Sequence, residues 1–133
     1  MTRQELLRRI GLGLVFCWFM FGGIAHFVAL DAYAAIVPPW APYPRVIAAL
    51  TGVTDIIGAL AFLWPRTRRI AGYALMLYCV CVSPVHIDML RNASLYAIPP
   101  FVLSARLIFQ PILIWIIWSV SKPPALPAAS ASQ

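Results

Sequence analysis

Long apolar runs alternate with short polar or proline-rich interruptions along this chain. Four runs, at about residues 10–30, 46–64, 70–90 and 101–120, are each long enough as helix to cross a hydrocarbon core of ~30 Å, which needs about 20 residues. Between the first two lies Val37-Pro38-Pro39-Trp40-Ala41-Pro42-Tyr43-Pro44, whose prolines cannot donate backbone hydrogen bonds and hold the chain extended. Its two aromatics suit a headgroup region, so the segment reads as an ordered interfacial loop. The second connection, Trp64-Pro65-Arg66-Thr67-Arg68-Arg69, is short enough to force a helical hairpin, and the third, around 91–100, ends in a Pro-Pro stop. The predicted fold is all-α, an antiparallel four-helix transmembrane bundle in one domain over 1–122, followed by a Pro/Ala/Ser-rich tail, 123–133, expected to be disordered. The first run, about 21 residues, is too long for the apolar region of a cleaved signal peptide.

Composition sharpens this into an environment. Hydrophobic residues make up 62% and charged residues 11% of the 133, with a mean hydropathy of +0.86, whereas soluble domains are nearer half apolar and a quarter charged. So much apolar surface on a 14.7 kDa chain has nowhere to go but lipid. The net charge of +6 does not indicate nucleic acid, because the ten basic residues are scattered between apolar runs with no basic face interleaved with aromatics. Their placement reads as topology: with the N-terminus inside, Arg3, Arg8, Arg9, Arg66, Arg68, Arg69 and Lys122 lie inside, against Arg45, Arg91 and Arg106 outside. Both termini are thus expected on the cytoplasmic side of a plasma (inner) membrane. Three cysteines with no CxxC spacing exclude a disulfide-stapled module and disfavour dithiol chemistry.

Ionisable groups inside the spans carry the chemical information, since each costs several kcal/mol near the bilayer centre unless paired, hydrated or neutralised. Asp55 lies about 15 Å from Arg45 and about 16 Å from Arg66 by helical rise, near the middle of the second span. It shares a helix face with Thr51, Gly52, Gly58 and Ala59, small residues that admit a neighbouring helix, so it should point between helices. In the fourth span Arg106 and Gln110 lie on one stripe; Gln110 is level with Asp55, and Arg106, one turn further out, either reaches down to Asp55 or snorkels to the outer interface. His26 ends the first span, and His86 and Asp88 the third. Pro84 and Pro111 release the carbonyls of Val80 and Leu107, which then need partners. A polar pocket in the outer half, contacted by Asp55, Arg106, Gln110, His26 and His86, satisfies these groups together.

Blander readings stand beside this one. Asp55 and Arg106 alone would make a buried ion pair that fixes helix register, His26 an interfacial donor to a backbone carbonyl, and His86 with Asp88 a solvated helix end. Haem ligation would require the two histidines to face each other and no attachment motif is present; no HExxH or CxxC spacing suggests zinc, so no metal is expected. Cys17, Cys79 and Cys81 read as small apolar residues, and Trp18, Trp115 and Trp118 as packing or interface anchors.

Four segments in order carry a resemblance: Gly22-Gly23-Ile24-Ala25-His26-Phe27, Val37-Pro38-Pro39-Trp40-Ala41-Pro42, Thr51-Gly52-Val53-Thr54-Asp55-Ile56-Ile57-Gly58 and Arg106-Leu107-Ile108-Phe109-Gln110-Pro111-Ile112. Over about residues 11–118 the chain resembles the DoxX-like family of small four-helix membrane proteins. That family usually has Glu where Asp55 stands and often Asn where His86 stands, and the shorter Asp reaches less far toward Arg106. It is named for the small membrane subunit of a thiosulfate:quinone oxidoreductase. The resemblance therefore implies a link to quinone as ligand and to membrane or peripheral oxidoreductase subunits as partners, without implying a particular reaction.

Three functions remain in play. The leading one is a binder of a small amphipathic ligand, such as a quinone, acting as an accessory subunit in an oxidoreductase system. The second is a membrane-embedded enzyme using Asp55 and His26 as acid and base. The third is a structural or assembly factor. A transporter is disfavoured, because four spans would have to oligomerise to build an alternating path.

Overall fold

The computed structural model describes residues 1–122. These form five α-helices and one 3-10 turn: α1 Arg3–Val28, α2 Leu30–Ala35, α3 Pro44–Leu63, α4 Arg68–Arg91, the turn Ala93–Leu95, and α5 Pro100–Ser121. No strand occurs among the described residues. Helices α1, α3, α4 and α5 are each long and apolar enough to cross a membrane. The tail 123–133, expected to be disordered, lies outside the described residues.

The boundaries follow local chemistry. Helix α1 begins seven residues before its apolar run because Thr2 and Glu5 form a capping box. The Glu5 N–H donates to Thr2 Oγ1 (3.2 Å) and the Thr2 N–H to Glu5 Oε2 (2.8 Å). Hydropathy registers the apolar stretch alone and passes over this polar first turn. The segment before the proline-rich loop coils into α2, too short to register as a periodic pattern. Tyr43 then takes φ 54°, a left-handed conformation, as N-cap of α3, and Pro44 supplies a φ already suited to a first helical turn. At the far end of α3 the short connection is stitched from both sides. Thr67 Oγ1 donates to the Ala61 carbonyl (2.7 Å), and Arg68 donates from Nε to Phe62 O (3.1 Å) and from Nη2 to Leu63 O (2.8 Å), satisfying carbonyls that the helix terminus leaves open.

Among the long helices, α1 packs against α3 and α5, and α4 packs against α3 and α5. The end where α1 begins and α5 finishes is densely filled. Val15, Phe62 and Ile117 are fully buried and Leu75, Ala71 and Val120 nearly so, while Arg8 Nη2 donates to the carbonyl of Lys122 (2.9 Å). Large apolar side chains such as Phe21, Val28, Ile70, Leu77, Phe101 and Ile108 point outward and stay mostly exposed. An outer surface of that kind on helices of this length is a surface for lipid.

Helices α1 and α3 touch backbone to backbone. A β-carbon on Gly23 would sit 2.8 Å from the Gly52 carbonyl oxygen, and one on Gly52 would sit 2.7 Å from the β-carbon of His26. This crossing of two glycines sets His26 and Asp55 beside one another on facing helices.

Candidate functional site

Beyond that crossing the helices part around a cavity of about 880 Å³. Asp55, Arg106, Gln110, His26 and His86 all line it, contributed by α3, α5, α1 and α4, so the five residues singled out from the sequence share one space. The remaining wall is mostly apolar and aromatic and includes Tyr33 of α2 and Pro38, Trp40 and Ala41 of the proline-rich loop.

Asp55 is 7% exposed, and its Oδ1 is buried with no hydrogen-bond partner among the described residues. Of the two courses open to Arg106, the reach to Asp55 is not taken: among the described residues the one salt bridge is Arg45 with Asp31, at 2.7 Å, exposed and formed by residues outside the cavity lining. The reason is geometric. Helical rise fixes depth but not the direction in which each side chain leaves its helix, and Asp lacks the methylene that would lengthen its reach. Arg106 shares the cavity lining with His26, His86 and Tyr78 instead. The phenol of Tyr78, from α4, approaches the Asp55 carboxyl group. Two residues of the cavity lining thus stand unmatched, Asp55 with a buried oxygen that has no partner and Arg106 with no carboxylate.

His26 donates from Nδ1 to the Ala48 carbonyl (2.9 Å), and its ring lies 3.9 Å from that of Tyr33, centroid to centroid. The backbone bond assigns the proton to Nδ1, which leaves Nε2 as an acceptor in the neutral ring. His26 therefore fills the bland role foreseen for it and still faces the cavity. Gln110, 8% exposed, donates from Nε2 to the Cys79 carbonyl, which also accepts from Ser83 Oγ (2.9 Å). The Cys79 carbonyl, which takes these two side-chain donors, stands one residue before the Val80 carbonyl that Pro84 leaves without its helical donor. Nδ1 of His86 is buried without a partner, and the Gln110 amide adjoins its ring. Asp88 does not line the cavity. It accepts from Asn92 Nδ2 (3.2 Å) and from the Tyr96 hydroxyl (3.3 Å), and partial burial together with the nearby Asp88 carboxylate raises the Tyr96 phenol above its ordinary pKa.

Cys17 and Cys79 both line the cavity as free thiols. Among the described residues no group of three or more His, Cys, Asp or Glu side chains is placed to hold a metal. Tyr78 is the site residue that the sequence reading missed. A signal existed: Tyr78 lies about 15 Å by helical rise from the start of α4 and Asp55 about 12 Å from the end of α3, so the short connection sets them nearly level.

Fold and site together define an all-α protein with four candidate membrane-spanning helices, a multi-pass membrane protein by class, with a polar cavity between its helices. Within that class, the chain belongs to the family described as a domain of unknown function (DUF8561), whose model matches residues 15–121. No curated protein and no solved structure matches the chain.

Proposed function

We propose that the four long helices cross the bilayer as an antiparallel bundle and that the cavity between them binds a small amphipathic ligand, presenting Asp55, Arg106, Gln110, His26 and His86 to its polar head. The observation that carries this reading is the pair of unmatched groups in one space, Asp55 with an unpartnered buried oxygen and Arg106 with no carboxylate. A buried polar atom left without a partner is costly, and a ligand offering a donor to Asp55 and an acceptor to Arg106 relieves both. The volume lies within the range of sites for drug-sized molecules, and the apolar wall suits a hydrocarbon body. The positive-inside distribution supports cytoplasmic termini in the inner membrane, with the cavity in the outer half. The DoxX-like resemblance supports a quinone as the ligand and an oxidoreductase as the partner, with this chain as the accessory subunit.

Mass spectrometry of molecules co-extracted with the full chain tests the reading. A bound quinone or similar amphiphile is expected, with occupancy falling about tenfold or more in Asp55→Asn and in Arg106→Ala, as for loss of a charge-assisted hydrogen bond. A protein that extracts empty, with quinone affinity unaltered by either substitution, would overturn it.

A second reading, an enzyme with Asp55 and His26 as acid and base, draws support from the Nδ1–H bond to Ala48, which leaves Nε2 free to take a proton. Consumption of a membrane-dissolved substrate lost in both Asp55→Asn and His26→Ala would favour it over binding alone.

A further inference from the structure

A second recess, of about 350 Å³, lies between α4 and α5 at the densely packed end, lined by Arg69, Tyr73, Trp118, Ser121 and Lys122. Among the described residues it is lined by two cations, two aromatic rings and no carboxylate. The Lys122 ammonium sits 3.3 Å from the centroid of the Trp118 ring, and the Arg69 guanidinium 5.9 Å from that of Tyr73. Ring faces of this kind orient a cation without neutralising it.

Every acid of the chain is engaged or placed elsewhere. Glu5 closes the capping box of α1, Asp31 pairs with Arg45, Asp55 lines the large cavity, and Asp88 is bonded to Asn92 and Tyr96. Nearby groups add like charge. Arg8 bonds the Lys122 carbonyl and lies close to Arg68, and the Arg8 Nε is buried without a partner. The recess is therefore a site for an anion.

Its surroundings say which kind. Tyr73 and Trp118 are about half exposed, as aromatics at a lipid–water boundary are. One helical turn further along, Leu77 is 65% and Trp115 64% exposed, an apolar track running from the charged end along the outer surface. An anion bonded here to Lys122 and Arg69 would leave an attached hydrocarbon chain against that track. We propose that the recess formed by Arg69, Tyr73, Trp118 and Lys122 binds the phosphate headgroup of an anionic glycerophospholipid. This rests on the reading that the long helices cross a bilayer, and it is independent of the occupant of the larger cavity.

Native mass spectrometry of the full chain in detergent, titrated with phosphatidylglycerol, provides the test, with phosphatidylcholine and inorganic phosphate as comparison probes. One phosphatidylglycerol per chain is expected to bind ahead of phosphatidylcholine. Arg69→Gln and Lys122→Gln should each weaken it about fivefold, the effect of one basic residue at a membrane surface. Trp118→Leu should weaken it with the charge unchanged, while Arg66→Gln, an exposed cation at the same end but outside the recess, should leave it intact. Lys122 follows the last residue of α5; it bonds α1 through its backbone carbonyl, and its side chain lies over Trp118 of the helix it follows, so its substitution should leave the helices in place, as far-UV circular dichroism would check. Equal weakening by Arg66→Gln would overturn the site in favour of diffuse charge. Displacement of the lipid by equimolar inorganic phosphate, or equal affinity for phosphatidylcholine, would overturn the anionic-lipid assignment. Asp55→Asn should retain the phosphatidylglycerol, and its loss there would show that no separate site exists.

Discussion

The two ends of the helical assembly are built from the same four helices and differ in what fills the space between them. At one end Val15, Phe62, Leu75 and Ile117 interlock and side chains such as Ser121, which donates to the Ile117 carbonyl, and Thr67 and Arg68, which donate to the last carbonyls of α3, are bonded to backbone. At the other, the glycine crossing of α1 and α3 brings two backbones together while α4 and α5, each carrying an internal proline, stand back around a cavity with unmatched polar atoms. The first arrangement is what stability asks for; the second leaves stability unrealised. Polar groups kept in that condition are what the proposed ligand site rests on.

Substitutions can break this contrast, and the packed end should give the largest effect. Phe62→Ala removes a fully buried ring and is expected to cost about 3 kcal/mol in reversible unfolding, with ligand occupancy in the cavity unchanged once the protein is folded. Gly52→Leu should separate α1 from α3, because its first side-chain carbon already meets His26 and the Gly23 carbonyl. A fall in stability of roughly 2 kcal/mol is expected together with loss of the His26 bond to Ala48, read from the His26 ring resonances by NMR. Gln110→Leu removes the side-chain donor that reaches from α5 to Cys79 and should cost about 1 kcal/mol in the same unfolding measurement. Arg45→Ala, which deletes an exposed ion pair with Asp31, should change stability by less than about 0.5 kcal/mol.

Much of this architecture was legible before any coordinates. Lipid demands unbroken apolar stretches of a set length, so four long helices follow from hydropathy alone, each within a few residues of its predicted span except where the Thr2 capping box extends α1. Depth was legible too, since a constant rise per residue puts Asp55, Gln110 and Arg106 at readable heights. What a single sequence does not carry is azimuth. Whether Asp55 meets Arg106 or Tyr78 depends on how each helix is rotated, and contacts such as the glycine crossing of α1 and α3 set that through three-dimensional packing. The short helix α2 escaped for a different reason: six residues are too few for a helical period to register.

The central claim is that Asp55 and Arg106 act on a common ligand across the cavity and not on each other. A double-mutant cycle with Asp55→Asn and Arg106→Gln, measured by reversible unfolding of ligand-free protein, addresses this directly. The two effects are expected to add within about 0.5 kcal/mol when the cavity is empty, and to become strongly coupled once ligand is bound. Coupling of several kcal/mol in the empty protein would mean a direct buried ion pair, and the binding site as described here would not exist.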